Sequence, residues 1–163
     1  MDEETELLGH FLDLQRNHVL GILEGLSEEQ LRQPVLPSRW SCLGLVKHLS
    51  LDVEHYWFRC IMAGESLDLF AQSSDGRGAW EVKPDESSED IFNLYRDEIE
   101  RANAIIATTP LSASPAQRDQ WWGDWDVPNF RYIMLHVIAE TAAHAGHSDA
   151  ARELIDGRQW VVL

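Results

Sequence analysis

The stretch that decides the fold is Tyr132-Ile-Met-Leu-His136-Val-Ile-Ala-Glu140-Thr-Ala-Ala-His144-Ala-Gly-His147. Its apolar residues have helical spacing, and at about 100° per residue the three histidines and the glutamate lie within an arc of about 80°. The same stripe contains Ala143, Ala151 and Leu154. The pattern therefore predicts that ligand-type side chains occupy the face that an amphipathic helix turns toward its core.

A buried carboxylate among imidazoles is costly unless it is paired, protonated or bound to a cation. Glu140 and His144 are four residues apart, so both can reach one metal ion from a helix. His48 is the best candidate for a third ligand, because it also lies on a buried flank of a predicted helix. Three protein ligands and one open position are typical of a catalytic zinc-type centre. Two other interpretations stay open: satisfied core histidines, and an acid/base pair without a metal.

The length and composition fit one domain over residues 1–163. The chain is 44% hydrophobic, which is enough for a real core, and no apolar run approaches the roughly 18 residues of a membrane span. Its acidic start lacks the basic residues of a signal peptide, so we expect a cytoplasmic location and no membrane partner. The formal net charge of −15 disfavours nucleic-acid binding, because such a surface repels phosphates.

The two cysteines, Cys42 and Cys60, lie in one predicted helix, separated by five turns or roughly 27 Å. They share a face but cannot form a disulfide within one molecule. We interpret both as small buried residues of a reducing compartment.

Apolar residues recur at helical spacing in four long segments, joined by sequences rich in capping signals and proline. We predict helix 1 over Thr5–Gly25, helix 2 over Ser41–Ala63 with Gly64 as its C-cap, helix 3 from Ser87 to about Thr109, and helix 4 from about Asn129 to just before Gly157. A capping box at Ser27–Gln30 predicts one further short turn. With no convincing strand, the chain is predicted to be all-α, and a four-helix bundle is the natural architecture.

The connections also carry information. Glu65–Glu86, between helices 2 and 3, exceeds twenty residues, and at about 3.3 Å per residue it could cross the full length of the bundle. We therefore predict an up-down-down-up topology with a long crossover. The later connection carries Trp121, Trp122 and Trp125. A loop fixed onto the end of the bundle by these aromatics is favoured over a substrate lid.

Helix 2 carries a polar file formed by His48, Asp52, His55 and Arg59, which lie within about 80° of one another on an α-helical wheel. Apolar residues border the file on both sides. This arrangement suits the wall of a cavity better than an open surface.

Several motifs together resemble the DinB-like, or YfiT-like, superfamily, and are most similar to its actinobacterial branch of mycothiol S-transferase-type proteins. They are Leu45-Val-Lys-His48-Leu, Glu54-His-Tyr-Trp57-Phe-Arg59 and Glu140-Thr-Ala-Ala-His144-Ala-Gly-His147-Ser-Asp-Ala-Ala-Arg152-Glu-Leu-Ile. The resemblance extends over nearly the whole chain, including Pro37-Ser-Arg-Trp40-Ser41 and Leu94-Tyr95-Arg96.

The resemblance implies a metal-binding four-helix bundle whose ligands correspond to His48, Glu140 and His144. The family's frequent form is H-x-x-x-H-R-G-Q; here Glu140 replaces its first histidine and His147 its glutamine. A glutamate at that position is similar to the mycothiol-dependent maleylpyruvate isomerases, so the metal is still expected. The departure makes the site more anionic and leaves His147 as a substitute ligand or a residue that orients a ligand.

The implied activity is detoxifying transfer of a mycothiol-type thiol, activated by a divalent ion, to a small electrophile. Zn²⁺ is expected, with Ni²⁺ or Fe²⁺ as alternatives. His136, His147, Asp52 and His55 would move protons or orient groups, and Arg59 would meet an acidic group of the substrate. A non-catalytic metal-binding or small-molecule-binding module is the alternative, and a homodimer is left open.

Overall fold

The structure is a computed structural model that describes residues 2–67 and 78–160. It comprises α1 (Glu3–Leu23), α2 (Glu28–Arg32), α3 (Cys42–His48) with a π-helical continuation (Leu49–Met62), α4 (Ser88–Thr108), a 3₁₀ turn (Gln120–Trp122) and α5 (Phe130–Asp156). No strand occurs in this described part. The predicted all-α class is confirmed. No helix there has the combination of length and apolarity that crossing a membrane requires.

Except for α1, which begins at Glu3 rather than at the predicted Thr5, the helices begin where the sequence predicts. Each start has a side chain that accepts a hydrogen bond from an otherwise unpaired backbone N–H. These N-cap residues are Asp2, Ser27, Ser41, Ser87 and Asn129. At its other end α5 stops at Gly157, whose φ of 82° is left-handed and therefore favours glycine.

The predicted helix over Ser41–Ala63 is present, but the α-helical geometry assumed for its whole length is wrong. From Leu49 onward the segment is π-helical, as shown where the N–H of Ala63 donates to the carbonyl of Phe58, five residues back. A π-helix has more residues per turn than an α-helix. A wheel at 100° per residue therefore places the later polar residues of this segment on the wrong side.

Contacts between side chains show how the long helices run. The first turn of α1 pairs with the first turn of α5, and the end of α1 pairs with the second half of α5, so these two helices run in the same direction. α3 with its π-helical continuation runs parallel to α4, because Lys47 of α3 pairs with Glu86 just before α4, and Arg59 of the π-helical segment pairs with Glu98 further along α4. The pairs are Glu4–Arg131, His18–Asp149, Lys47–Glu86 and Arg59–Glu98. The up-down-down-up order stays a prediction, and these directions agree with it.

The buried face of α5 differs from the predicted stripe. It is formed by Phe130, Ile133, Met134, Val137, Thr141, His144, Ala145, Ser148, Ala151 and Arg152. His144 belongs to both, but His147 and Leu154 are exposed, and Glu140 is only half-buried. An alanine-rich helix has little apolar asymmetry, so periodicity could not locate its core face. The stripe lies on the flank of α5, along the seam with α3.

The long crossover lies partly outside the described residues, which omit 68–77. Its near end is fixed by Gln117, whose side-chain amide donates to the carbonyls of Cys60 and Glu65. Its far end is fixed by Lys47 on α3, which pairs with Glu86. The segment that returns along α3 is therefore held next to the end of α3, where His48 lies.

Candidate metal centre

Three predicted ligand residues meet at the seam between α3 and α5. His48 is the last residue of α3, and Glu140 and His144 lie one turn apart on α5. One donor atom from each lies within 4.8 Å of the other two. The His144 Nε2 atom is 3.1 Å from Glu140 Oε1, and His48 Nε2 is 3.9 Å from the same oxygen. The end of α3 thus supplies one donor and the middle of α5 supplies two, and the three converge.

The donor set fits a single divalent ion. Two atoms that bind one zinc at about 2.0–2.1 Å in tetrahedral geometry lie roughly 3.3 Å apart. The 3.1 Å between His144 and Glu140 is close to this value, and the 3.9 Å between His48 and Glu140 is longer. His48 Nε2 is buried and has no hydrogen-bond partner among the described residues. A buried polar atom without a partner is costly, so a nitrogen lone pair aimed at Glu140 and His144 suits a cation.

Asp52 orients His48. The Nδ1 atom of His48 donates to Asp52 Oδ2 over 2.8 Å, which leaves Nε2 as the atom with a free lone pair in the neutral ring. Burial disfavours protonation of His48, but its hydrogen bond to Asp52 and the proximity of Glu140 outweigh this and raise its pKa above 6.5. A carboxylate behind a metal-binding histidine is the usual way to fix ring and tautomer.

Glu140 is held in its charged form. The hydrogen bond from His144, and then the proximity of His48, lower the pKa of its carboxyl well below 4.5, although burial acts in the opposite direction. Its side chain is 38% exposed, so one side of the constellation is open to solvent. A small molecule could therefore approach the three side chains from the Glu140 side.

His147 contacts His144 rather than the other two predicted ligands. Their Nδ1 atoms are 3.4 Å apart, and the exposed ring of His147 lies 6.2 Å from that of Trp40. With the His144 Nε2 proton donated to Glu140, Nδ1 of His144 accepts from His147. His147 therefore lies where it can exchange a proton between His144 and solvent.

His136 lies one turn before Glu140, against an aromatic wall. Its ring centroid is 4.6 Å from Trp57 and 5.4 Å from Trp125. Burial lowers its pKa below 6.5, although the charge of Glu140 acts in the opposite direction. His136 is consequently neutral at neutral pH and able to accept a proton.

The structure places His55 and Arg59 in a different cluster. His55 Nδ1 is 3.4 Å from Glu98 of α4, and Arg59 pairs with Glu98 at 2.7 Å and with Glu65 at 2.6 Å. The predicted single polar file is therefore split. His48 and Asp52 face α5, whereas His55 and Arg59 face α4, because the π-helical turn rotates them away.

Trp80 also belongs to the site, although its sequence context does not predict this. Its indole stacks on His48 with the ring centroids 4.2 Å apart, and it lies 5.5 Å from His144 and 6.5 Å from Trp40. The signal available in the sequence was a lone tryptophan at the end of a weakly patterned crossover. That signal does not indicate which helix the residue packs against.

The later tryptophan loop packs onto the bundle, as the favoured interpretation predicted. Trp122 is 6% exposed, stacks on Trp57 at 5.5 Å, and donates its indole N–H to the hydroxyl of Tyr56. Trp125 donates its indole N–H to the hydroxyl of Tyr132. The side chain of Trp121 lies outside the described part of the structure. The loop supplies the wall behind His136.

The protein is thus all-α, and two histidines and a glutamate converge beside aromatic walls. These three side chains form a candidate site for one divalent ion. A protein-family model described as Mycothiol-S-transferase matches residues 7–157. The chain therefore belongs to the mycothiol S-transferase family, within the DinB/YfiT-like superfamily, which confirms the resemblance drawn from its motifs. No match was found among curated proteins or among solved structures.

Proposed function

We propose that the protein is a divalent-metal-dependent S-transferase that joins mycothiol to an electrophilic small molecule. Family membership supports the thiol and the type of reaction. The observation that carries the metal is the convergence of His48, Glu140 and His144, with a buried His48 Nε2 that has no partner among the described residues.

Zn²⁺ is the favoured ion, because two imidazoles, one carboxylate and an open position form a common catalytic zinc set. Ni²⁺ and Fe²⁺ accept the same ligand types. When bound, the ion would lower the pKa of a coordinated thiol and supply a thiolate nucleophile at neutral pH.

The residues around the ligands would divide the remaining tasks. Asp52 holds the His48 ring in the tautomer with a free Nε2. The neutral ring of His136, one turn from Glu140, is placed to accept the proton that the thiol loses. Trp57 and Trp125 offer apolar faces beside His136 for the body of the electrophile. With a substrate that carries a leaving group, such as a halide, the thiol sulfur would form the new bond to carbon as the bond from that carbon to the leaving group breaks. The leaving group would depart as an anion, and the proton of the thiol would leave through a histidine.

The cysteines would take no part in this reaction. Cys42 and Cys60 are free and buried, and burial raises the pKa of each thiol to about 11. Neither is therefore a thiolate at neutral pH. Two free buried thiols also suit the reducing cytoplasm in which we propose the enzyme works.

The test combines metal analysis with a conjugation assay that uses mycothiol and a bimane-type electrophile. The wild-type protein is expected to hold one ion per chain and to form the conjugate. His144→Ala should lose both, whereas His10→Ala, an exposed histidine on α1, should lose neither. If the His144→Ala variant still holds one ion per chain, the proposed ligand set is wrong. Binding of metal and thiol without turnover would instead identify a non-catalytic binding module.

Glu140 is tested by two substitutions with opposite expectations. Glu140→His keeps a ligand at the same i, i+4 spacing and should retain the metal. Glu140→Leu leaves two imidazoles and should bind metal poorly. If Glu140→Leu retains both metal and activity, Glu140 is not a ligand, and His136 or His147 takes its place.

A further inference from the structure

The return segment of the crossover lies directly on the candidate metal centre. Trp80 stacks on the His48 ring with an interplanar angle of 18°, while His144 meets the same ring edge-on at 4.9 Å. His48 is thus bounded by Trp80 over its plane, by Asp52 at Nδ1 and by His144 at its edge. Trp80 therefore contacts His48, a proposed ligand, across the face of the imidazole ring.

Gly44 fixes the backbone at Trp80. A Cβ atom at Gly44 would come closer to the carbonyl oxygen of Trp80 than real Cβ atoms approach any neighbour. The neighbour is backbone rather than a flexible side chain, so a larger residue at this position would have to push the segment away from α3. The close approach of the two backbones requires glycine here.

Lys47 holds the residues that follow Trp80. Its ammonium donates to the Glu81 carbonyl at 2.8 Å and to both carboxylate oxygens of Glu86, also at 2.8 Å. Lys47 is buried, at 7% exposure, so this is a satisfied internal contact rather than a surface ion pair. One turn of α3 therefore holds the segment at Trp80 itself and at the residues that follow it.

We infer that Trp80 is a positioning residue of the metal centre: docked through Gly44 and Lys47, its indole fixes the plane of the His48 imidazole. The last torsion of a histidine side chain is broad, so a hydrogen bond at Nδ1 alone leaves the ring free to rock about the bond to Asp52. An aromatic face 4.2 Å away removes that freedom. The effect on metal affinity rests on the proposed function, whereas the effect on the ring itself does not.

The inference makes Trp80, which would not itself bind the ion, matter for metal binding through its contact with His48. Gly44→Ala should displace Trp80, and Trp80→Leu should remove the stacking face, so each should weaken Zn²⁺ binding about tenfold or more, the usual effect of losing a residue that orients a ligand. Trp80→Phe keeps an aromatic face and should stay within about threefold of wild type. Gly9→Ala is the matched control, because a Cβ there meets nothing within 4 Å.

The experiment measures Zn²⁺ affinity by competition with a chelating dye, after thermal unfolding has shown that each variant is folded. It also records the His48 ring N–H in ¹H–¹⁵N spectra of the metal-free protein. A slowly exchanging signal is expected in wild type and Trp80→Phe, and a broadened one in Trp80→Leu. If Trp80→Leu and Gly44→Ala both bind Zn²⁺ as tightly as wild type and keep the sharp ring signal, the inference is overturned. Absence of Zn²⁺ binding by the wild type would refute the proposed function, and the ring signal alone would then decide the role of Trp80.

Discussion

Two clusters of buried charge hold this bundle together in different ways. Between α1 and the π-helical segment, Arg16 donates to both oxygens of Glu54 at 2.7 and 2.6 Å, and both side chains are at most 2% exposed. The remaining donors of Arg16 reach Asp13 and Asn103, each at 2.8 Å. This cluster is closed, because its strong donors and acceptors satisfy one another.

The cluster between α3 and α5 is open. Glu140 is partly exposed, His48 Nε2 has no partner among the described residues, and the two histidines approach one carboxylate oxygen without completing a hydrogen-bonded set. Burial of charge therefore does not by itself mark a functional site. A self-satisfied cluster is part of the scaffold, whereas a converging but incomplete one fits the metal ion that we propose for it.

The largest loss of stability is expected in the closed cluster. Glu54→Ala leaves Arg16 buried without its carboxylate and should lower the free energy of unfolding of the metal-free protein by about 3–5 kcal/mol. Chemical denaturation measures this change. The double variant Arg16→Met with Glu54→Leu should recover most of the loss, because apolar residues of similar volume replace a buried pair at little cost. A double variant as unstable as the single one would contradict the assignment of a closed, purely structural pair.

At the open cluster, the free energy of unfolding should depend more on whether the ion is bound than on the loss of one side chain. At a free Zn²⁺ concentration one hundred times the dissociation constant, wild type should gain about 2.7 kcal/mol of stability. His144→Ala should gain none, while its metal-free stability should fall by only about 1 kcal/mol. Unfolding with and without Zn²⁺ measures both effects. A zinc-dependent gain in His144→Ala equal to that of wild type would show that the open cluster is not the site.

The sequence predicts the helices well, because the signals that start and stop them are local. Ser41, Ser87 and Asn129 each cap the helix that follows, and Gly157 ends the last one, as their residue types indicate. The resemblance also named the three residues that converge at the α3–α5 seam.

Contacts between distant segments were not predictable in the same way. His55 and Arg59 were placed beside His48 by an α-helical wheel, and the π-helical turn moves them to α4. The stack of Trp80 on His48 depends on how a long crossover docks, and no periodicity encodes that docking. The closed pair of Arg16 and Glu54 was missed for the same reason, since its partners lie on different helices.

The cysteines provide a third kind of buried polar group, neither paired with a charge nor open to a ligand. Cys42→Ala and Cys60→Ala should each lose about 1–2 kcal/mol through small cavities. Thiol transfer should be unchanged in both variants, because burial raises the pKa of each thiol to about 11. Denaturation and the conjugation assay test this. Loss of turnover in a folded variant would mean that a protein thiol carries the chemistry.

Protons compete with the metal for His48. Of the predicted effects, this competition should be the smallest at neutral pH, but it is the most specific test of the open cluster. The pKa of His48 in the metal-free protein is raised above 6.5 because Asp52 and Glu140 outweigh burial. An ion needs the neutral imidazole, so below this raised pKa one proton must leave for each ion that binds. The dissociation constant for Zn²⁺ should therefore increase about tenfold per pH unit on acidification, and the increase should begin above pH 6.5.

Asp52→Asn separates this effect from a general loss of the fold in acid. Without the carboxylate, the pKa of His48 should fall toward its ordinary value, so the onset of metal loss should move to lower pH. At high pH the same variant should bind Zn²⁺ more weakly, because the ring is less firmly oriented. Asp149→Asn is the matched control, since Asp149 pairs with His18 at the same 2.8 Å on another helix seam. Its pH profile should coincide with that of wild type. If Asp52→Asn leaves the onset where it is in wild type, the raised pKa of His48 is not what controls metal binding.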